Sequence, residues 1–271
     1  MMSNRAIERI SSLMNTKRFV VKVGTSSITD VNSRLDVGKV AILVSMLMKE
    51  VKNGRSPILV SSGAIGAGLG RLGLPRPDEM QELQAAAAVG QGILMQTYEF
   101  FFNNYEQTIA QLLLTGDDFT DPERNRNLSN TLETLINWGV IPIINENDTV
   151  ATQEIKVGDN DTIASYVTMA VDADLLVILT DVDGLYTSNP SEGKGEFVKV
   201  VKEITSEVEG WASKAGKGFG GMYTKVQAAK RLAKEGKATV IASSGVPDAL
   251  SKVLVGEIGT LFMPRGDEID E

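Results

Sequence analysis

The chain contains neither cysteine nor histidine in its 271 residues. Lack of cysteine excludes disulfides, thiolate metal sites and thiol nucleophiles. Lack of histidine removes the commonest general base and the commonest zinc ligand. Aromatic residues make up only 6%, and no run of about 18 apolar residues is present to span a bilayer. Positive charge is also in deficit: 27 Lys and Arg face 35 Asp and Glu, a net charge of −8. That balance argues against nucleic acid as a partner. The segment from Met1 to Thr16 has charges at Arg5, Glu8 and Arg9 and no apolar h-region, so it reads as a short amphipathic helix rather than a signal peptide. A cytoplasmic location is the default expectation. The available chemistry is that of carboxylates, lysine, arginine, hydroxyls, backbone amides and Mg2+.

The 42% of hydrophobic residues suffices for one large α/β domain or two closely joined lobes. Short β-branched runs alternate with helical patterns. Strands are predicted over 19–23, 57–60, 108–114, 140–145, 175–179, 197–200, 239–242 and 260–262. Helices are predicted over 37–51, 81–102, 123–138, 159–171, 222–234 and about 248–253, the second of them whole or divided near Gly90-Gln91-Gly92. This order predicts an α/β fold, a three-layer αβα sandwich with a mostly parallel central sheet. Ligands of such sheets sit beyond the carboxyl ends of the strands. Residues 1–264 read as a single domain and 265–271 as a frayed acidic tail. Trp138 and Trp211 read as packing residues.

Familiar nucleotide motifs fail. Gly-Lys occurs four times, at Gly38, Gly193, Gly216 and Gly236, but never before Ser or Thr, so no Walker loop is present. G-x-G-x-x-G occurs at Gly68–Gly73 and Gly216–Gly221, in neither case directly after a strand as a dinucleotide site requires.

The densest polar feature is the pair Ile144-Asn145-Glu146-Asn147-Asp148 and Val157-Gly158-Asp159-Asn160-Asp161. Asn and Asp often only make turns or caps, but two such clusters around one short segment suggest a binding site. Other segments leave two readings each. Lys22, before Gly24-Thr25-Ser26, is a snorkelling strand-end lysine or an anion ligand. Ser61-Ser62-Gly63-Ala64 is a cap and turn, or a helix start that attracts an anion. Gly220-Gly221-Met222-Tyr223-Thr224-Lys225 puts a cation at a helix end that repels cations, unless an anion offsets it. Thr180 and Asp181, ending a buried strand, form an Asx-turn or contact a nucleotide.

Together these segments resemble the amino acid kinase family, in the family's order, from about Lys17 to Pro264. VKVGTSS, VSSGAIGAG, INENDTVATQEIKVGDND, LTDVDGLYTSNP and GGMYTK carry the resemblance. The NEND and KVGDND pair points to the family's glutamate-phosphorylating branch, apart from the acetylglutamate, aspartate, carbamate and uridylate kinases. The resemblance implies transfer of a phosphoryl group from MgATP to the γ-carboxylate of L-glutamate, the first step of proline biosynthesis. It implies catalytic roles for Lys22, Lys225 and Asp161, and glutamate contacts from Ser62, Asp148 and Asn160. ATP would meet Lys22, Thr180, Asp181, Phe219, Gly220, Gly221, Met222, Tyr223, Thr224 and Lys225. The glutamate lobe would span about 17–172 and the ATP lobe about 173–264.

Mg2+ would be held largely by phosphates and water, with Glu146 or Asp159 in reach and no assigned protein ligand. The resemblance further implies feedback inhibition by proline, a dimer or tetramer, a functional link to glutamyl phosphate reductase, and the loop from Thr149 to Lys156 as the place to seek regulation. Phe219 and Tyr223 depart from the family's usual Thr and Ser. Many relatives carry a C-terminal PUA domain, and the short form without it is expected. Two alternatives are a sibling kinase for another carboxylate or carbamate and a silent sensor. Retention of both lysines weighs against the sensor.

Overall fold

The computed structural model describes residues 13, 15–150, 160–188, 195–214 and 221–265. Most of the predicted N-terminal helix (residues 1–12 and 14), the acidic tail from 266 and the 216–220 stretch lie outside them. Eight strands form one sheet: β1 (Arg18–Val23), β2 (Ser56–Ser61), β3 (Ile109–Leu114), β4 (Ile141–Glu146), β5 (Leu175–Thr180), β6 (Val200–Val201), β7 (Ala238–Ser243) and β8 (Thr260–Phe262). Between them run α1 (Thr25–Ile28), α2 (Val37–Lys52), α3 (Ala64–Leu72), α4 (Met80–Asn103), α5 (Asp117–Thr120), α6 (Pro122–Asn137), α7 (Asn160–Ala170), α8 (Ser206–Lys214), α9 (Met222–Lys234) and α10 (Ala249–Leu254).

The strand order is β3-β4-β2-β1-β5-β7-β8-β6. The pairs from β3 across to β7 are parallel, whereas β8 runs antiparallel to β7 and β6 pairs with β8. Central parallel strands are covered on both faces and therefore read as continuous apolar runs. β5, Leu-Leu-Val-Ile-Leu-Thr, is buried throughout. Alternate residues feed two separate cores: Phe19, Val21 and Val23 pack with α2 and α10 on one face, Val20 and Ile58 with α7 and α9 on the other. The buried polar residues near the carboxyl ends of these strands, Lys22, Ser61, Asn145 and Thr180, mark the edge of the core and the start of the site.

Helix ends follow local chemistry. Asp36 accepts from Lys39 N to start α2, and Asp121 accepts from Glu123 N and Arg124 N, with Pro122 opening α6.

Two expectations need correction, and of the two readings left open for the long helix the undivided one holds: residues 80–103 form one continuous helix. Its Gly90 serves close approach instead of a break: an added Cβ would lie 1.7 Å from Ala64 O on α3, and one on Gly68 would lie 1.9 Å from Ala86 O. Those glycines let two helix backbones touch, which also accounts for Gly68 within the helical G-x-G-x-x-G stretch. The strand expected over 197–200 shrinks to Val200–Val201, with Phe197 joined to Tyr186 by an isolated bridge and an edge-on ring contact. Trp138, following α6, is 74% exposed and packs in no core, whereas Trp211 does pack against the α7 and α9 layer.

Candidate active site

The carboxyl ends of β1, β2, β4 and β5 open into one cleft of about 710 Å3. Behind the lining residues Lys22, Asn160 and Lys225 lies Asp161, on the first turn of α7 and fully buried. Lys22 from β1 reaches its Oδ1 at 2.6 Å, and Lys225 from α9 reaches its Oδ2 at 3.1 Å. Both lysines are buried, 3% and 4% exposed, so neither is a snorkelling or solvated side chain. Thr224 Oγ1 lies 2.8 Å from the same Oδ2. Lys22 and the Thr224-Lys225 pair, each remote in sequence from Asp161, thus meet at its carboxylate. Burial alone would raise the pKa of Asp161. The charges of Lys22 and Lys225 and the hydrogen bonds from Lys22 and Thr224 outweigh it and hold the group below the usual carboxylate range.

The opposite wall is a network of neutral polar groups. Ser62 follows β2 and leads into Gly63, whose φ of 102° lies in the left-handed region that favours glycine. Asn160 Nδ2 donates to Ser62 Oγ at 3.0 Å and to Asn145 Oδ1 at 3.0 Å. Glu146 N donates to Asn145 Oδ1 and Asn160 Oδ1. Asp148 lines the same cleft, half-buried, and burial pushes its pKa up to about 6. A carboxylate in that setting is stabilised by an arriving cation.

Thr180 and Asp181 also line the cleft, with Thr180 donating to Asp181 Oδ1 at 3.0 Å. Among the described residues of the segment expected to carry ATP, 221–225, only Lys225 reaches the cleft lining. Met222 packs against the core and Tyr223 is 46% exposed. Phe219, Gly220 and Asp159 lie outside the described residues, as do positions 151–156 of the loop expected to be regulatory. Among the described residues no group of three or more acidic side chains is placed to hold a metal.

Some cleft residues were not singled out from sequence. Lys39 lines the cleft and donates to Ser26 O at 3.0 Å and Thr29 O at 2.6 Å, tying down the loop after α1. Its Gly38-Lys39 context was informative only as a failed Walker motif. Asn145 belongs to the polar cluster, yet its role as a buried hub depends on Gln91, which no local pattern connects to it.

The arrangement can bind two anions side by side and neutralise charge between them, with cations on one wall and amides, a hydroxyl and an isolated carboxylate on the other. Comparison with known proteins agrees. Residues 17–243 match the amino acid kinase family. The glutamate 5-kinase of Caldanaerobacter subterraneus subsp. tengcongensis is 48% identical over 257 residues, spanning 93% of this chain and 69% of that protein. The glutamate 5-kinase of Symbiobacterium thermophilum is 46% identical over 258 residues, spanning 94% of this chain and 98% of that protein. Among solved structures, carbamate kinase from Giardia lamblia bound to AMP-PNP superposes with a TM-score of 0.65 at 20% identity, covering 92% of this chain and 99% of that one. UMP kinase from Bacillus anthracis gives 0.63 at 12% identity, covering 93% and 97%. These last two are similar in fold alone.

Proposed function

The chain belongs to the amino acid kinase family, and from that premise we propose that it phosphorylates the γ-carboxylate of L-glutamate with ATP, as the glutamate 5-kinases at 46–48% identity are named for doing. The observation that carries the reading is the Lys22–Asp161–Lys225 assembly facing a hydrogen-bonding wall across one cleft.

A γ-carboxylate has a reference pKa of about 4.3 and is already ionised at neutral pH, so the reaction needs no general base. That suits a chain without histidine. One carboxylate oxygen forms a bond to the γ-phosphorus of ATP as the bond from that phosphorus to the β–γ bridging oxygen breaks. The products are γ-glutamyl phosphate and ADP. The obstacle is mutual repulsion of two anions, and the catalyst's task is alignment and charge neutralisation. Lys22 and Lys225 supply positive charge at the transferring group, and Asp161 fixes where their ammonium groups stand. Asp148 pairs with the substrate ammonium, while Ser62 and Asn160 hold a carboxylate. Thr180, Asp181 and the segment 219–225 serve ATP. The lobes of this reading are about 17–172 for glutamate and 173–264 for ATP.

Glu146 and Asp181 are the cleft carboxylates that would be in reach of an Mg2+ bound with ATP, which would supply neutralisation of phosphate charge. Inhibition by proline, dimer or tetramer formation, a link to glutamyl phosphate reductase and a cytoplasmic setting belong to the same proposal. Light scattering with and without proline tests assembly and its regulation together.

The deciding assay combines ATP, Mg2+, a panel of amino acids and hydroxylamine to trap any acyl phosphate. Hydroxamate formed with glutamate alone supports the reading. Formation with another acceptor, or none despite tight nucleotide binding, overturns it.

A further inference from the structure

Behind the hydrogen-bonding wall of the cleft, α4 presents two polar side chains seven positions apart, on one face of the helix. Tyr98 is fully buried, with its hydroxyl 2.8 Å from Ser61 Oγ, and Ser61 Oγ donates to Ser62 O at 3.0 Å. Gln91 Oε1 accepts from Asn145 Nδ2 at 2.8 Å. The backbone contact at Gly90 locks α4 against the first turn of α3, immediately beside Gln91. Gln91 itself is not among the residues lining the cleft.

A single donor settles the polarity of everything between Gln91 and the cleft. The backbone N–H of Glu146 can only donate, and it faces Asn145 Oδ1 at 2.9 Å and Asn160 Oδ1 at 3.2 Å. Both amides are therefore oriented with their oxygens toward Glu146 N. The NH2 group of Asn160 is directed to Ser62 Oγ and Asn145 Oδ1. The NH2 group of Asn145 is left facing Gln91, which must offer its oxygen. Asn145 is 2% exposed, so no bulk water can take that role. Ser62 Oγ, already accepting from Asn160, keeps its own proton for whatever occupies the cleft.

We infer that Gln91 is a positioning residue that acts through Asn145 and Asn160 to fix Ser62 as a hydrogen-bond donor to a carboxylate oxygen of the acceptor substrate. The inference rests on the glutamate reading above. Without an acceptor at position 91 the buried Asn145 amide loses its partner. Rotating to find another withdraws Asn145 Oδ1 from Asn160, and Ser62 is no longer held as a donor.

The test compares Gln91→Met and Gln91→Ala, which lack an acceptor, with Gln91→Glu, which retains one. Hydroxamate kinetics should show the glutamate KM raised about tenfold in the first two, the ATP KM unmoved, and most of the loss regained in Q91E. Side-chain amide NMR of the ligand-free protein should show the Asn145 and Asn160 resonances displaced in Q91M and Q91A, with Asn160 near its original position in Q91E. The inference is overturned if Q91E and Q91M raise the glutamate KM alike, if glutamate and ATP KM rise together, or if the amide resonances stay in place. The NMR arm needs no substrate. Wild-type protein that makes no hydroxamate from glutamate would sink the functional reading while leaving the relay to be judged by its amides.

Discussion

Asp161 and Asp148 share one cleft and meet opposite environments. Asp161 is fully buried and enclosed by the chain's own cations, which hold its pKa down. Asp148 is half-buried with no cation bonded to it among the described residues, and burial lifts its pKa to about 6. One carboxylate is satisfied by the fold, whereas the other is arranged for a positive group that arrives from outside. The difference separates the part of the site that is built from the part that is completed by substrate.

The strongest way to break the comparison is Asp161→Asn. Removing one partner of a buried ion pair typically costs about 3–5 kcal/mol, and here two lysines lose their shared counter-charge. A denaturant titration should show that loss, and an unchanged midpoint would mean that the lysines do not depend on Asp161. Next in size is Lys225→Ala, which should lower kcat by about 100-fold or more, as expected for a charge aimed at the transition state. A kcat within a few-fold of wild type would remove Lys225 from the chemistry. Asp148→Asn should raise the glutamate KM by about tenfold with kcat little changed, because an ammonium contact is made in ground and transition states alike. An unchanged KM would take Asp148 out of the substrate site.

The smallest effects concern pH and sharpen the contrast through its sign. For wild type, kcat/KM for glutamate should fall as pH drops through about 6, where Asp148 gains a proton, and D148N should lack that limb. Linkage gives the stability counterpart. The folded-state pKa of Asp148 lies above its unfolded value, so its contribution is fully present below about 3.8 and lost as pH rises through about 6. Ligand-free D148N should therefore gain on wild type in thermal melts at pH 8 and not at pH 4. Asp161, with its pKa lowered, contributes above its unfolded value and loses that contribution as pH falls through the folded one. A D148N melt that gains equally at both pH values would show that burial of the charge is not the cause.

Much of this was legible in the chain. The alternation of β-branched runs and helical periods led directly to the parallel sheet, and the segments after β1, β2, β4 and β5 that line the cleft stood out as polar or glycine-rich breaks after a strand, whereas Lys39 and Arg76 did not. What local pattern could not supply was convergence. Lys22, Asp161 and Lys225 each had a bland reading, and only the packing of α7 against β1 and of α9 against α7 turned three such readings into one cluster. Gly90 was read as a possible helix break because a glycine's local effect is to weaken a helix, whereas its use here depends on a second helix. Gln91 carried no signal for the same reason: its partner lies in β4, 54 positions away. Trp138 misled because size favours burial on average and says nothing about a particular helix end.

The cluster of two lysines and one aspartate carries a net charge of +1 at the end of the cleft where β1 and α9 meet, inside a molecule whose total is −8. An approaching nucleotide therefore experiences two fields of opposite sign, at different ranges. Far out, the acidic surface slows its arrival. That repulsion is screened over a Debye length of about 8 Å at physiological ionic strength. Close in, buried charges are screened far less. Added salt should thus speed the encounter before it weakens the hold, so the rate of nucleotide capture passes through a maximum with ionic strength.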